Sequence, residues 1–170
     1  MNACFIEEIA LIKFRLSIVL ATTVVLFLIS YSAFNLVEDV RYINLITESF
    51  TALVCVFFYI KVDDLKHKKY HAFLSWGFYL AFVSMATDAM DQLFWHGELF
   101  TGIVEKTTML FAYALVFLGL RKWLKEYQEL TQALEVQAKK DNLTGLLNRR
   151  GMQLELESIH NDALENNKKY

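Results

Sequence analysis

Proline is absent from all 170 residues, and glycine occurs only six times. These two residues punctuate loops and turns, so their scarcity excludes a loop-rich or disordered body and favours continuous helices. Cysteine is equally scarce. Cys4 and Cys55 are too few for a disulfide framework, and each reads as an unpaired small apolar side chain. Neither sign of charge prevails, with 17 basic against 19 acidic residues. With a net charge of −2 and no Lys/Arg-rich run of the nucleic-acid type, nothing in the chain argues for nucleic-acid binding. What is abundant is apolar surface. The chain is 55% hydrophobic, against roughly 45–50% in an ordinary soluble domain, and the excess is gathered into four blocks. Composition alone therefore puts the chain in the membrane class.

A helix needs about 20 mostly apolar residues to cross the hydrocarbon core. Residues 16–37, 43–60, 72–94 and 99–120 meet that length, predicting an all-α protein built as a four-helix transmembrane bundle. The first block has no charge. The second carries Glu48, the third Asp88 and Asp91, and the fourth Glu105 and Lys106. Ser30-Tyr31-Ser32 faintly resembles a signal-peptide cleavage site, but the apolar run continues past it and the block reads as a retained span. Basic residues set the direction. Lys13 and Arg15 precede the first span, Lys61, Lys66, Lys68 and Lys69 follow the second, and Arg121, Lys122 and Lys125 follow the fourth. Both termini and the Lys-rich loop are therefore expected in the cytoplasm, with residues 1–15 as a short cytoplasmic segment. Tyr42, Tyr59, Tyr70, Trp95 and Trp123 fall at expected interfaces, where amphipathic rings settle.

Alternating span direction places Glu48, Asp88, Asp91, Glu105 and Lys106 in the outer half of such a bundle. Glu38, Asp39, His96 and Glu98 lie just beyond, in short outer loops. Asp88 and Asp91, three residues apart, share a helix face, and Gln92 joins them. Ionisable groups inside a membrane are costly and usually point into the bundle. Lys106 is the one cation expected within this layer, so acids are in excess. Such a cluster can hold a small cationic ligand or a shared proton, and His96 adds a group that titrates near neutral pH. The plain alternative is a wet rim that caps helix ends. One histidine among scattered acids lacks the ligand spacing of a metal site. His67 and His71, beside the Lys-rich loop, read as interfacial side chains. Phe14, Tyr31 and Phe34 read as lipid-facing or packing residues.

Helical composition continues past the fourth span to about residue 140. Leu120, Tyr127 and Leu134 are spaced by seven, and Leu124, Thr131 and Ala138 form a second set offset by four. Together they make an a/d seam that predicts a parallel two-chain coiled coil over residues 121–140, hence a homodimer. A single amphipathic helix lying on the membrane surface is the alternative.

Residues 138–150 read A-K-K-D-N-L-T-G-L-L-N-R-R. Gly145 permits a turn, Leu143, Leu146 and Leu147 offer apolar anchors, and Asn148 can cap a new helix starting at Arg149. Asp141 and the arginines Arg149 and Arg150 can pair across the turn. The residues by themselves imply a helix, a tight turn and a second helix. The run also resembles the opening motif of the GGDEF domain of diguanylate cyclases, Asp-x-Leu-Thr-Gly-Leu-x-Asn-Arg-Arg. Asp141, Leu143, Thr144, Gly145, Leu146, Asn148, Arg149 and Arg150 match it, and Met152 stands where the family commonly has an aromatic residue. The resemblance covers residues 138–170. It implies a bacterial inner-membrane protein whose signalling helix leads into an α/β domain. In that family two such domains, each holding GTP and magnesium, join two nucleotides into cyclic di-GMP. No Gly-Gly-Asp/Glu-Glu-Phe signature occurs in the chain, and no catalytic, guanine-binding or metal-binding position of the family can be mapped onto it. The 170 residues are thus expected to be a sensory and dimerisation region without cyclase activity of their own, with residues 141–170 as the start of the domain. A stand-alone membrane regulator that pairs with an intact cyclase is the rival reading, and a small cation transporter a more distant one.

Overall fold

The computed structural model describes residues 3–141 and 144–167. The described residues form helices α1 (Ala3–Ala33), α2 (Tyr42–Lys61), α3 (His71–Asp91), the single turn α4 (Glu98–Phe100), α5 (Lys106–Ala138) and α6 (Arg149–Asn167). A 3₁₀ turn, Val62–Leu65, follows α2, and a π turn, Thr101–Glu105, leads into α5. Three stretches are long and apolar enough to cross a membrane: Ile9–Ala33, Tyr42–Leu65 and Thr101–Ala138. The chain divides into two units, Met1–Lys122 and Trp123–Tyr170.

In the first unit α3 is the helix most enclosed by protein. Leu74, Gly77, Ala81, Phe82, Ser84, Ala86, Thr87 and Ala89 are all buried along it. This accounts for its polar content, including Ser75, Ser84 and Thr87. A helix surrounded by other helices need not present an apolar surface to lipid, and its hydroxyls find partners inside. Tyr79 Oη lies 2.7 Å from Thr22 Oγ1 on α1, and Ser84 Oγ donates to the Glu105 carbonyl at 3.1 Å. The Ser84 contact satisfies a carbonyl in the π turn, where the regular hydrogen-bond ladder is interrupted. α3 meets α2 through Ala52, Val56, Phe82 and Ala86, with Val19 and Leu26 of α1 packed against them. It meets α5 through small residues. A Cβ on Gly77 would come within 2.7 Å of Val116 Cγ2, and one on Gly119 within 2.6 Å of Leu74 Cδ2. By contrast, Leu20, Phe50, Leu53, Leu110 and Phe111 stand exposed. Large exposed apolar side chains on α1, α2 and α5 are the expected outer surface of a protein that lies in lipid.

Several expected boundaries are corrected. The first span was predicted to run to Val37, but α1 ends at Ala33. The third was predicted to run to Phe94, but α3 ends at Asp91. The residues released from both ends pair with each other. Leu36 bridges Phe94, Val37 N–H donates to Leu93 O at 3.0 Å, and Trp95 N–H donates to Asn35 O at 2.9 Å. The backbone groups left at two helix ends are satisfied mutually, which apolar counting has no means of registering. The fourth span was expected as one helix from Leu99. It is helical without a break, with α4, the π turn and α5 in succession, and continues through the predicted linker to Ala138. Tyr59 and Tyr70, expected at the lipid interface, are buried at 8% and 4% exposure. Cys55 on α2 is a free thiol, as read.

The second unit comprises the end of α5, a compact turn and α6. Asp141 N–H donates to Leu146 O at 2.7 Å, Gly145 N–H to Asp141 O at 2.9 Å, and Asn148 N–H to Lys139 O at 2.8 Å. Gly145 takes φ 70°, the left-handed conformation that favours glycine.

Candidate functional site

Polar side chains gather at both ends of the first unit and in the turn of the second. At the acidic end, Glu48 on α2, Asp88 and Asp91 on α3 and Glu105 on the π turn come together. Glu48, Asp88 and Glu105 lie within electrostatic reach of one another, and Asp91 of Asp88, Glu105 and His96. The expected layer is therefore assembled in space. Lys106, exposed at its edge, acts on Asp88 and Glu105, and Arg41, the residue before α2, acts on Glu48 and Asp88 as well. The side chain of Glu98 lies outside the described residues. Glu38 and Asp39 stay in the loop before α2.

Gln92, at the C-terminal cap of α3, is 4% exposed and donates through Nε2 to Glu48 Oε1 at 3.1 Å. Glu48 Oε2 and Gln92 Oε1 are buried without a hydrogen-bond partner. Above them is a partly open cavity of about 220 Å³, lined by Val37, Arg41, Asp91, Gln92, Trp95, Gly97 and Thr101.

His96 anchors the wall of this end. Its Nε2 lies 3.0 Å from Ser30 Oγ, its ring meets Phe34 and Phe100 at 4.5 and 5.0 Å between centroids, and Nδ1 is 3.6 Å from Asp91 Oδ1. Burial pushes its imidazole below the ordinary histidine range, and the Asp91 carboxylate partly opposes this by favouring the charged ring. Gly97 follows at φ 77° and turns the chain into α4.

The opposite end holds a cluster that sequence reasoning missed. Arg15 of α1 is 7% exposed. Its guanidinium is paired with Asp63, donates to Tyr59 O at 2.6 Å and Ser75 Oγ at 3.0 Å, and stacks 4.2 Å over the Tyr59 ring. His71 Nε2 lies 3.0 Å from the same Asp63 Oδ1. His71, partly buried, thus shares the carboxylate of this ion pair. A faint signal existed. Tyr59/Asp63 and His71/Ser75 are each four residues apart, so polar groups line one helix face on either side of the Lys-rich loop.

In the second unit the motif residues form a joint. Asp141 Oδ1 accepts from the Thr144 N–H and hydroxyl, both at 2.9 Å. Asn148 Oδ1 accepts from the Gly151 N–H at 2.9 Å and so caps α6. Its Nδ2 donates to Ala138 O at 2.8 Å, one of the carbonyls left open at the end of α5. One side chain thereby latches two helix ends. Gly151 is needed beside it, since a Cβ there would meet Lys139 O at 2.3 Å. Leu146, Arg149 and Arg150 are exposed, and Leu143 lies outside the described residues. The seam residues Leu120, Leu124, Tyr127, Leu134 and Ala138 are all exposed along α5, and Thr131 is half-buried, with its hydroxyl bonded to Tyr127 O at 2.9 Å.

Among its described residues, this turn offers no set of side chains that fits magnesium. The Asp141 oxygen is engaged by Thr144, and among the described residues no three His, Cys, Asp or Glu side chains are grouped to hold a metal ion. No family model, curated protein or solved structure matches the chain.

Proposed function

We propose that this chain is the membrane sensory and dimerisation region of a diguanylate cyclase. In this reading four spans, with α3 as the enclosed third, lie in a bacterial inner membrane with both termini cytoplasmic. The acidic end faces outward and takes up a small ligand. α5 carries the resulting movement to a catalytic domain opened by residues 141–150, which joins two GTP molecules with magnesium into cyclic di-GMP. The observation that carries the reading is the joint. Four of the residues that resemble the family motif hold a part of it: Asp141 and Thr144 close the turn, Gly145 supplies the left-handed residue, and Asn148 ties α5 to α6. A side chain bonded to both helix ends gives rotation or sliding of α5 a stiff route onward. The exposed apolar seam on α5 supports pairing of two copies.

The test is a chimera in which residues 1–150 are joined, at the shared motif, to the body of an intact diguanylate cyclase. Cells expressing it should accumulate cyclic di-GMP, and Asn148→Ala should lower the level. A membrane-inserted chimera that makes none, while the same catalytic body driven by a leucine zipper is active, sinks the reading.

A further inference from the structure

The cavity at the acidic end is lined by charges of both signs, Arg41 and Asp91. Among the described residues Arg41 has no carboxylate within ion-pair distance. It immediately precedes α2, whose first turn receives no side-chain cap. A basic residue thus occupies the N-cap at the positive end of a 20-residue helix, a combination suited to a carboxylate. Asp91 presents the opposite charge, and its Oδ1 lies 3.6 Å from a histidine ring that burial keeps neutral. Between them is Gln92. Its side-chain oxygen is buried without a partner, on a residue 4% exposed. A buried acceptor left open is costly unless something donates to it. Trp95, 70% exposed, offers an indole face at the rim, a surface that attracts ammonium groups.

We propose that this cavity binds a small zwitterion of the α-amino-acid class. Its carboxylate lies against Arg41, and its ammonium lies against Asp91 and Gln92 Oε1 under the Trp95 ring. The inference deepens the reading of the acidic end as a ligand-sensing surface and rests on it. The pairing of charges makes the choice. Arg41 favours an anionic group and Asp91 a cationic one, so a molecule bearing both charges complements both lining residues. The size agrees. About 220 Å³ is roughly seven water volumes at ~30 Å³ each, room for a compact amino acid and too little for a nucleotide or a peptide.

The experiment uses the full chain in nanodiscs, titrated with each standard L-α-amino acid and followed by calorimetry and tryptophan fluorescence. The methyl ester and the N-acetyl form of any binder serve as cation-only and anion-only controls. At least one free amino acid should bind, with both controls weaker by about tenfold or more, since each loses a charge-assisted pairing. Arg41→Gln should selectively remove the preference over the ester, and Asp91→Asn the preference over the N-acetyl form. Thermal unfolding and α-helical circular dichroism confirm that each variant is folded, and Arg41→Lys, which keeps the charge, should retain measurable binding. The proposal is overturned if no amino acid binds the folded chain, or if an ester or N-acetyl form binds as tightly as its parent. Either failure leaves the signalling reading standing, because the chimera's cyclic di-GMP output tests that separately.

Discussion

At the scale of single residues, Asn148 and His96 each hold together chain segments that are apart in sequence. Asn148 caps α6 while donating to the end of α5. Replacing an N-cap asparagine by alanine costs about 1 kcal/mol, so Asn148→Ala should speed hydrogen exchange of the Gly151 amide by roughly fivefold through easier local opening. Unchanged protection at Gly151 would show that the cap carries no weight. His96 behaves differently because it is buried and held neutral. Its folded pKa lies below its unfolded one, so the stability it lends is fully present above the ordinary histidine range, near pH 6.5. That stability is lost as pH falls through the folded value, because the unfolded ring takes up a proton more readily. Acidification from pH 8 to 5 should lower the thermal midpoint in detergent, and His96→Asn should flatten that part of the profile. An equally steep profile in the variant would move the effect to another group.

At the scale of elements, the Arg15–Asp63 pair fastens α1 to the turn after α2 and, through Ser75 and His71, to α3. Both side chains are almost wholly enclosed, at 8% and 10% exposure. Removing one member of a buried pair strands the other charge, at a cost of about 3–5 kcal/mol, whereas replacing both by apolar residues is often near neutral. Arg15→Met should therefore destabilise the chain strongly against denaturant in detergent, and Arg15→Met with Asp63→Leu should recover most of the loss. If the double variant is no better than the single one, the hydrogen bonds to Tyr59 and Ser75 hold the end together and the pair does not. The approach of α3 to α5 rests on glycine. Gly77→Ala would drive a methyl group against Val116 Cγ2, and overpacking of this kind costs about 1–3 kcal/mol.

At the scale of the whole molecule, three stretches are long and apolar enough to cross a bilayer, and α3 is enclosed by protein. In the proposed arrangement, reporter fusions at residues 39 and 97 should report the outside, and fusions at 67 and 140 the cytoplasm. A cytoplasmic signal at 97 would contradict α3 as a span. The exposed seam gives the second expectation. Leu124→Asp with Leu134→Asp should abolish cross-linking of paired chains through α5, because charge at a and d positions cannot be buried in a coiled coil. Cross-linking unchanged by both would place the dimer contact in the spans, or exclude it.

Much of this organisation was legible in the chain by itself. Apolar runs of membrane length, the turn at Gly145, the cap at Asn148 and a helix continuing unbroken towards Ala138 all follow from local rules, which act within a few residues and so leave a trace in their order. The acidic layer was legible too, because span direction alone sorts Glu48, Asp88, Asp91 and Glu105 to one end. Tertiary structure decided what depends on residues far apart in the chain. The burial of Arg15 against Asp63, the grip of Ser30 on His96 across 66 positions, and the pairing of the 34–37 and 92–95 loops have no local signature. Each arises because a buried charge or backbone group must find a partner, and which partner is near is settled only when the helices pack. The same packing sets Arg41 and Asp91 into the lining of one cavity, adding a second cation to a layer that read as acidic with Lys106 alone against it.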